Sequence, residues 1–189
     1  DGPGPTLPGF DAARVTFDAT PLEGGGTRIL LAGSVSEGDA DRLSDALDAA
    51  EAPVTLALHS PGGVVQEALA MGRILRARQI VTEIPEGGAC LSACPFAFAG
   101  GTVRSVAEGA WLGLHQSYFD QSTLLPAFIA VEQIQFGQGA VLRYLHEMGI
   151  DPMAMVHALE TPADEVYVLT PEELVRYAFV TNRADADGG

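Results

Sequence analysis

The chain has 189 residues, 47% of them apolar, which is enough for one domain with a full core. Its 25 Asp and Glu stand against 10 basic residues, a formal net charge of −15, which argues against nucleic acid or an anionic membrane as the main partner because both call for clustered positive charge. All ten basic residues are arginines, and the absence of lysine excludes a Ser–Lys dyad, a lysine Schiff base and a Walker-A phosphate loop.

Residues 1–12, rich in Pro and Gly, read as a flexible lead. A single domain over 13–182 and a loose acidic tail over 183–189 are expected beyond it. Arg14–Phe17 alternates like a strand, and the Gly24–Gly26 triplet marks a turn. The continuous apolar run Arg28–Gly33 predicts a strand buried on both faces. Ser36 or Asp39 is the expected cap of a helix carrying Ala40, Leu43, Ala46, Leu47 and Ala50 on one face. Pro53–Leu58 predicts the next strand, Val64–Arg78 a helix with Ala68, Met71, Ile74 and Leu75 inward, and Ile80–Ile84 a third strand. A short helix is expected from about Leu91 to Ala99, stopped by Gly100-Gly101, and then a strand over Ala110–Leu114. A long helix follows from about Pro126 to Met148, and another starts at Pro152. Val166–Leu169 is strand-like, Thr170-Pro-Glu-Glu173 reads as a capping box opening a helix, and Phe179–Thr181 is expected as a last strand. Strands alternating with helices predict an α/β fold of right-handed βαβ units with a mostly parallel central sheet. In such folds, functional residues gather at the carboxyl ends of strands.

Three motifs fall at such ends: His59-Ser60-Pro61-Gly62-Gly63, Cys90-Leu91-Ser92-Ala93-Cys94 and Leu114-His115-Gln116. Ser92 is the candidate nucleophile and His115 the candidate general base, since imidazole shuttles protons near neutral pH. The backbone N–H groups of Gly62 or Gly63 and of Ala93 are the candidate oxyanion donors, because glycine lets an anion approach the main chain. A serine cap, a plain Pro-Gly turn and a packed histidine would each explain one motif taken singly; their joint occurrence favours acyl-transfer chemistry. For the orienting acid the candidates are Asp164 and Glu165, before the last helix, and Asp120, which follows His115 closely. His59 could substitute as the base, whereas His146 and His157 belong to amphipathic helices and read as structural. Cys90 and Cys94 are open to two readings, a disulfide bracing the nucleophile turn or two reduced core thiols. Two cysteines alone do not complete a zinc site, so no metal and no cofactor is expected.

Order and spacing of Ile29–Gly33, Leu58–Gly63, Gly88–Ala93, Ala99–Arg104, Gly113–Gln116 and Thr170–Glu173 together resemble the Clp protease proteolytic-subunit (ClpP-like) superfamily, of the ClpP/crotonase fold. The resemblance runs from Arg28 to about Asn182, and it implies a fold of repeated ββα/βαβ units. The Cys-Leu-Ser-Ala-Cys version is similar to ClpP-like proteins predicted to be periplasmic in Gram-negative bacteria. By this resemblance Ser92 is the nucleophile, His115 the base, and Gly62 or Gly63 with Ala93 the oxyanion donors. Counting forward from Glu160-Thr161 puts the family's catalytic aspartate at Asp164, while counting back from Thr170-Pro171 puts Val166 there. The segment that docks unfoldase partners in true Clp subunits has no recognisable counterpart, so dependence on an ATPase is not expected.

The resulting expectation is a serine peptidase-like hydrolase acting on a peptide or protein, with a homo-oligomer as a further option. The alternative is a non-catalytic scaffold on the same fold, and acyl-CoA chemistry ranks last because the chain offers few basic residues for CoA phosphates. No run of about 18 apolar residues is present, so membrane insertion is not expected. A start at Asp1 without Met, together with the cysteine pair, suggests a processed periplasmic or secreted protein.

Overall fold

The computed structural model describes residues 10, 13–116 and 127–181. The expected tail over 183–189, the candidate acid Asp120, and all of the expected lead except Phe10 lie outside the described residues. The elements in chain order are β1 (Thr16–Pro21), β2 (Thr27–Ala32), α1 (Asp39–Ala49), β3 (Val54–His59), α2 (Val65–Ala77), β4 (Val81–Ile84), β5 (Ala89–Leu91) and α3 (Cys94–Ala99). They continue with β6 (Arg104–Val106), β7 (Trp111–Leu114), α4 (Ala127–Glu147), a 3₁₀ turn (Pro152–Ala154), α5 (Met155–Glu160), β8 (Tyr167–Val168) and α6 (Pro171–Arg176).

The architecture is α/β with two mixed sheets. One has the order β1-β2-β3-β4-β6, parallel except for the antiparallel pairing of β1 with β2. The other is β5-β7-β8, with β5 and β7 parallel and β8 antiparallel to β7. The sheets meet where Ser60, one residue past β3, bridges Cys90 of β5. There the Ser60 N–H donates to the Ala89 carbonyl (2.8 Å) and the Leu91 N–H donates to the Ser60 carbonyl (3.0 Å).

Local sequence explains most of these elements. Along β2, Thr27, Ile29 and Leu31 are buried while Arg28, Leu30 and Ala32 are half-buried, so the run is covered fully on only one face, not on both as its apolar continuity predicts. Leu43 and Leu47 of α1 and Ala68, Leu69, Met71 and Leu75 of α2 enter the core that this face closes. Neither Ser36 nor Asp39 caps α1; Gly38 occupies the N-cap in a left-handed conformation (φ 81°), and Asp39 is the first helical residue. The capping box at Thr170 is present: its Oγ1 accepts from the Glu173 N–H (3.3 Å), and Glu173 Oε2 accepts from the Thr170 N–H (2.9 Å). Burial pushes the Glu173 carboxyl up, but the Thr170 N–H, the Tyr167 hydroxyl and nearby His157 outweigh it and hold it below the usual range.

Two further expectations need correction. β5 and β6, three residues each, are too short to announce themselves by alternation, and β5 takes Leu91 out of the helix expected from there, leaving α3 to start at Cys94. Phe179–Thr181 forms no strand. Its end instead meets one residue of β6, the Thr181 N–H donating to the Arg104 carbonyl (3.1 Å) and the Arg104 N–H to Thr181 Oγ1 (2.9 Å).

Two arginines anchor the far end of α3. Arg104, only 5% exposed, donates to the carbonyls of Phe179, Gly101 and Ala178. Arg76 donates to those of Ala99, Gly100, Gly101 and Met148. Desolvation, with Arg76 nearby, pushes the Arg104 guanidinium down to about 10, so it stays charged at neutral pH. Tyr144 of α4, fully buried, donates to the Phe96 carbonyl (2.6 Å) and ties α4 to the middle of α3. Burial raises its phenol far above the ordinary range.

Asp39 is the most heavily bonded carboxylate in the described fold. It accepts from the Ser36 N–H (2.7 Å), Arg42 (2.7 Å) and Arg14 (2.8 Å) while its side chain is fully buried. Burial pushes this carboxyl up, but the Ser36 N–H and the two guanidiniums outweigh it and hold it below the usual carboxylate range. A depressed folded pKa contributes stability that is complete above the unfolded value of about 3.9 and is lost as pH falls through the folded value. Urea denaturation as a function of pH should therefore show stability falling below about pH 4. Asp39→Asn should cost about 2 kcal/mol at neutral pH and flatten part of that acid limb. An unchanged acid limb in the variant would remove Asp39 from this account.

Candidate active site

Ser92 stands between β5 and α3 on a sharp strand-to-helix turn. Its N–H donates to the Gly113 carbonyl of β7 (3.0 Å), and its backbone is left-handed at φ 61°. That conformation costs a non-glycine residue on the order of 1–2 kcal/mol, and the surrounding hydrogen bonds and packing hold it. A serine held so at a strand–helix junction presents its hydroxyl outward. Ser92 is half-buried, and its Oγ makes no hydrogen bond among the described residues.

The turn is clasped from both sides. Cys90, at the middle of β5, and Cys94, at the first position of α3, form a disulfide with Cα atoms 5.1 Å apart. Of the two readings open to these cysteines, the structure has the disulfide, and it joins a strand residue to a helix residue. The reversal of the chain at Ser92 brings a strand residue back to a helix residue. Both are buried, at 0% and 1% exposure, so the bond is shielded from small thiols in the folded protein.

Opposite the turn lies the Pro61-Gly62-Gly63 loop. A Cβ on Gly62 would come within 2.6 Å of the Ser92 Cβ and 2.8 Å of the Ala93 nitrogen, and φ is 102° there, so only glycine lets the loop approach this closely. The Gly62 N–H is already engaged, donating to Ser60 Oγ (3.1 Å). The Gly62 carbonyl accepts from the Val35 N–H (2.8 Å). Across a trans peptide the carbonyl and the following N–H point in opposite directions, so the Gly63 N–H is turned away from Val35. The N–H groups of Gly63 and Ala93 make no hydrogen bond among the described residues. Gly62 is buried and Gly63 exposed.

His115 follows the last residue of β7, the strand paired with β5, so it lies at the same strand-end edge as Ser92. Its Nδ1 is 2.6 Å from the Gln116 carbonyl oxygen. A carbonyl only accepts, so Nδ1 carries a proton, and in the neutral ring the lone pair is on Nε2. No hydrogen bond joins Ser92 and His115 in this arrangement, and catalytic contacts of this kind are often long in ligand-free proteins. Gln116 is held in turn, its N–H donating to the Thr161 carbonyl (3.0 Å) and its amide nitrogen to the Leu159 carbonyl (2.8 Å).

The acid candidates fall elsewhere. Asp164 is exposed in the turn before β8 and makes no hydrogen bond or ion pair among the described residues; Glu165 is exposed beside it. Val166 lies one residue before Tyr167, which pairs with Leu114, and it packs over Gly113 of β7. The backbone carbonyl of Gln116 therefore holds the His115 proton that a triad acid would hold. His59 accepts the Ala89 N–H at Nδ1 (3.2 Å) and stacks on Phe10, which makes it a brace for β5 rather than a free base. His157 stacks on Tyr167 and contacts the Tyr177 hydroxyl (2.9 Å), and His146 lies near the end of α4. Among the described residues, no group of three or more His, Cys, Asp or Glu could hold a metal ion.

Sequence reasoning missed Ser60, which is fully buried and bonded to the glycine loop. The only signal was its place inside the motif, since a serine before Pro-Gly reads as an ordinary turn residue. It also missed the role of the Gln116 carbonyl, because a backbone acceptor leaves no mark in a sequence. No protein-family model and no curated protein matches the chain.

A thiol reagent in denaturant without reductant should find no free thiol, and two after reduction. Two free thiols before reduction would remove the clasp from the Ser92 turn.

Proposed function

We propose that the chain is a serine peptidase-like hydrolase of the ClpP-like type, on a ClpP/crotonase fold, acting on peptide or protein substrates. The observation that carries this reading is the Ser92 hydroxyl on a left-handed turn, facing a glycine loop, which together with the Gly63 and Ala93 N–H groups has no hydrogen-bond partner among the described residues. A hydroxyl and two unused donors at one strand-end edge are the parts that acyl transfer requires.

Ser92 Oγ attacks the substrate carbonyl carbon, and its proton passes to Nε2 of His115. The carbonyl oxygen becomes an oxyanion and takes the N–H groups of Gly63 and Ala93. The imidazolium then protonates the leaving amine, the C–N bond breaks, and an acyl-enzyme remains on Ser92. Water, deprotonated by the same imidazole, hydrolyses the ester and restores the serine. The Gln116 carbonyl keeps the ring in the working tautomer, but a neutral acceptor stabilises imidazolium less than a carboxylate does, so a slower enzyme than one with a full triad is expected. The disulfide supports assignment to an oxidising compartment such as the periplasm. Among the described residues no helix is long and apolar enough to cross a membrane.

A second reading is favoured by Asp164, exposed and without a partner among the described residues: a non-catalytic scaffold that keeps the fold without a complete triad. A fluorophosphonate probe separates the two. The enzyme reading expects labelling of the wild type, none in Ser92→Ala, and labelling at least about a hundredfold slower in His115→Ala. A folded wild type that resists the probe would establish the scaffold instead.

A further inference from the structure

We infer that Ser60 is a positioning residue of the proposed site: its buried hydroxyl captures the Gly62 N–H and so assigns the oxyanion contact to Gly63 instead. The inference rests on the serine-hydrolase reading.

Ser60 is fully buried, and its Oγ accepts from the Gly62 N–H (3.1 Å) and lies 3.5 Å from the Gly62 carbonyl oxygen, to which it donates. The Val35 N–H binds the same carbonyl (2.8 Å). The Gly62–Gly63 peptide is thus held with its carbonyl toward Val35 and its N–H toward the other side. On the far side of Gly63 the Val64 N–H donates to the Val35 carbonyl (3.0 Å), so Val35 holds the loop at both ends, but the peptide between has no conformational preference of its own, because both flanking residues are glycines at positive φ, 102° and 137°, and glycine passes easily between backbone conformations. A flip of that peptide would turn a carbonyl oxygen to where the N–H now points, opposing an oxyanion rather than binding it. Without the Ser60 hydroxyl, the buried Gly62 N–H has no partner and the Gly62 carbonyl keeps only the Val35 N–H, so rotation about the Gly62 backbone, which swings both adjoining peptides, becomes the route to a new partner. Ser60 also bridges to Cys90 through its backbone, so the residue that orients the glycine loop is the one that joins it to the strand carrying Ser92.

Amide exchange followed by NMR, with fluorophosphonate kinetics, tests this directly. In the wild type the Gly62 amide should be protected and the Gly63 amide should exchange freely. In Ser60→Ala the Gly62 protection should vanish while the β3 amides stay protected. The inactivation rate constant should then fall ten- to a hundredfold, with the reversible affinity for the probe within about twofold, since the loss lies in the oxyanion contact and not in binding. Ser60→Cys, whose thiol is a weaker acceptor, should fall between the two and serves if the alanine variant does not fold. An unchanged inactivation rate in Ser60→Ala, or equal exchange at Gly62 and Gly63 in the wild type, would overturn the inference while leaving the hydrolase reading in place. A wild type that shows the exchange contrast but resists the probe would instead defeat the hydrolase reading, and the catalytic role of Ser60 with it.

Discussion

Ser60 and Cys90 face each other at the seam between the two sheets, and the hydrogen bonds there determine where everything else at the strand ends can go. The backbone of one residue past β3 enters the ladder of β5, so the chain following each strand must turn within a few residues. One turn is Pro61-Gly62-Gly63; the other is Ser92. They are packed so closely that a single Cβ at Gly62 would collide with Ser92. Close-packed interiors transmit such constraints because they leave no slack to absorb an added methyl group.

The conformation of Ser92 is imposed from several directions at once. The disulfide closes the turn on itself, the Gly113 carbonyl of β7 takes the serine N–H, and the loop containing Gly62 presses from the front. At its far end α3 is secured by Arg76 and Arg104, whose guanidiniums cover carbonyls that the short helix leaves unpaired. Tyr144 fastens its middle. A six-residue helix has little intrinsic stability, so these tertiary bonds are what keep its start in place.

In the proposed mechanism, the division of labour follows from which polar groups the fold has already used. The Gly62 N–H, the Ser92 N–H and His59 Nδ1 are all spent on structure. Among the described residues, what remains unspent at that edge is the Ser92 hydroxyl, the N–H groups of Gly63 and Ala93, and the Nε2 lone pair of the neutral His115 ring. Folded proteins pair nearly all their polar groups, so donors and acceptors left over together at one edge are the ones available to a ligand.

Much of the fold was legible in the chain. Apolar runs bounded by turn residues marked β2, β3, β4 and β7, helical spacing marked α1, α2 and α4, and Thr170 with Glu173 marked the start of α6, because each of those signals depends only on near neighbours. Ser92 and His115 were legible as candidates because their side chains carry chemistry wherever they stand, and the glycine pair and Ala93 because of their place in the motifs, where backbone N–H groups can meet an anion. The sequence could not decide that Cys90 lies on a strand while Cys94 opens a helix, that Gly63 and not Gly62 has the free N–H, or that a backbone carbonyl holds the His115 proton. It also did not reveal that Asp164 points into solvent. Those outcomes depend on contacts between residues far apart in the chain, Ser60 with Cys90, Gly62 with Ser92 and Val35, and Leu114 with Tyr167, and no local pattern encodes the distance at which such pairs meet.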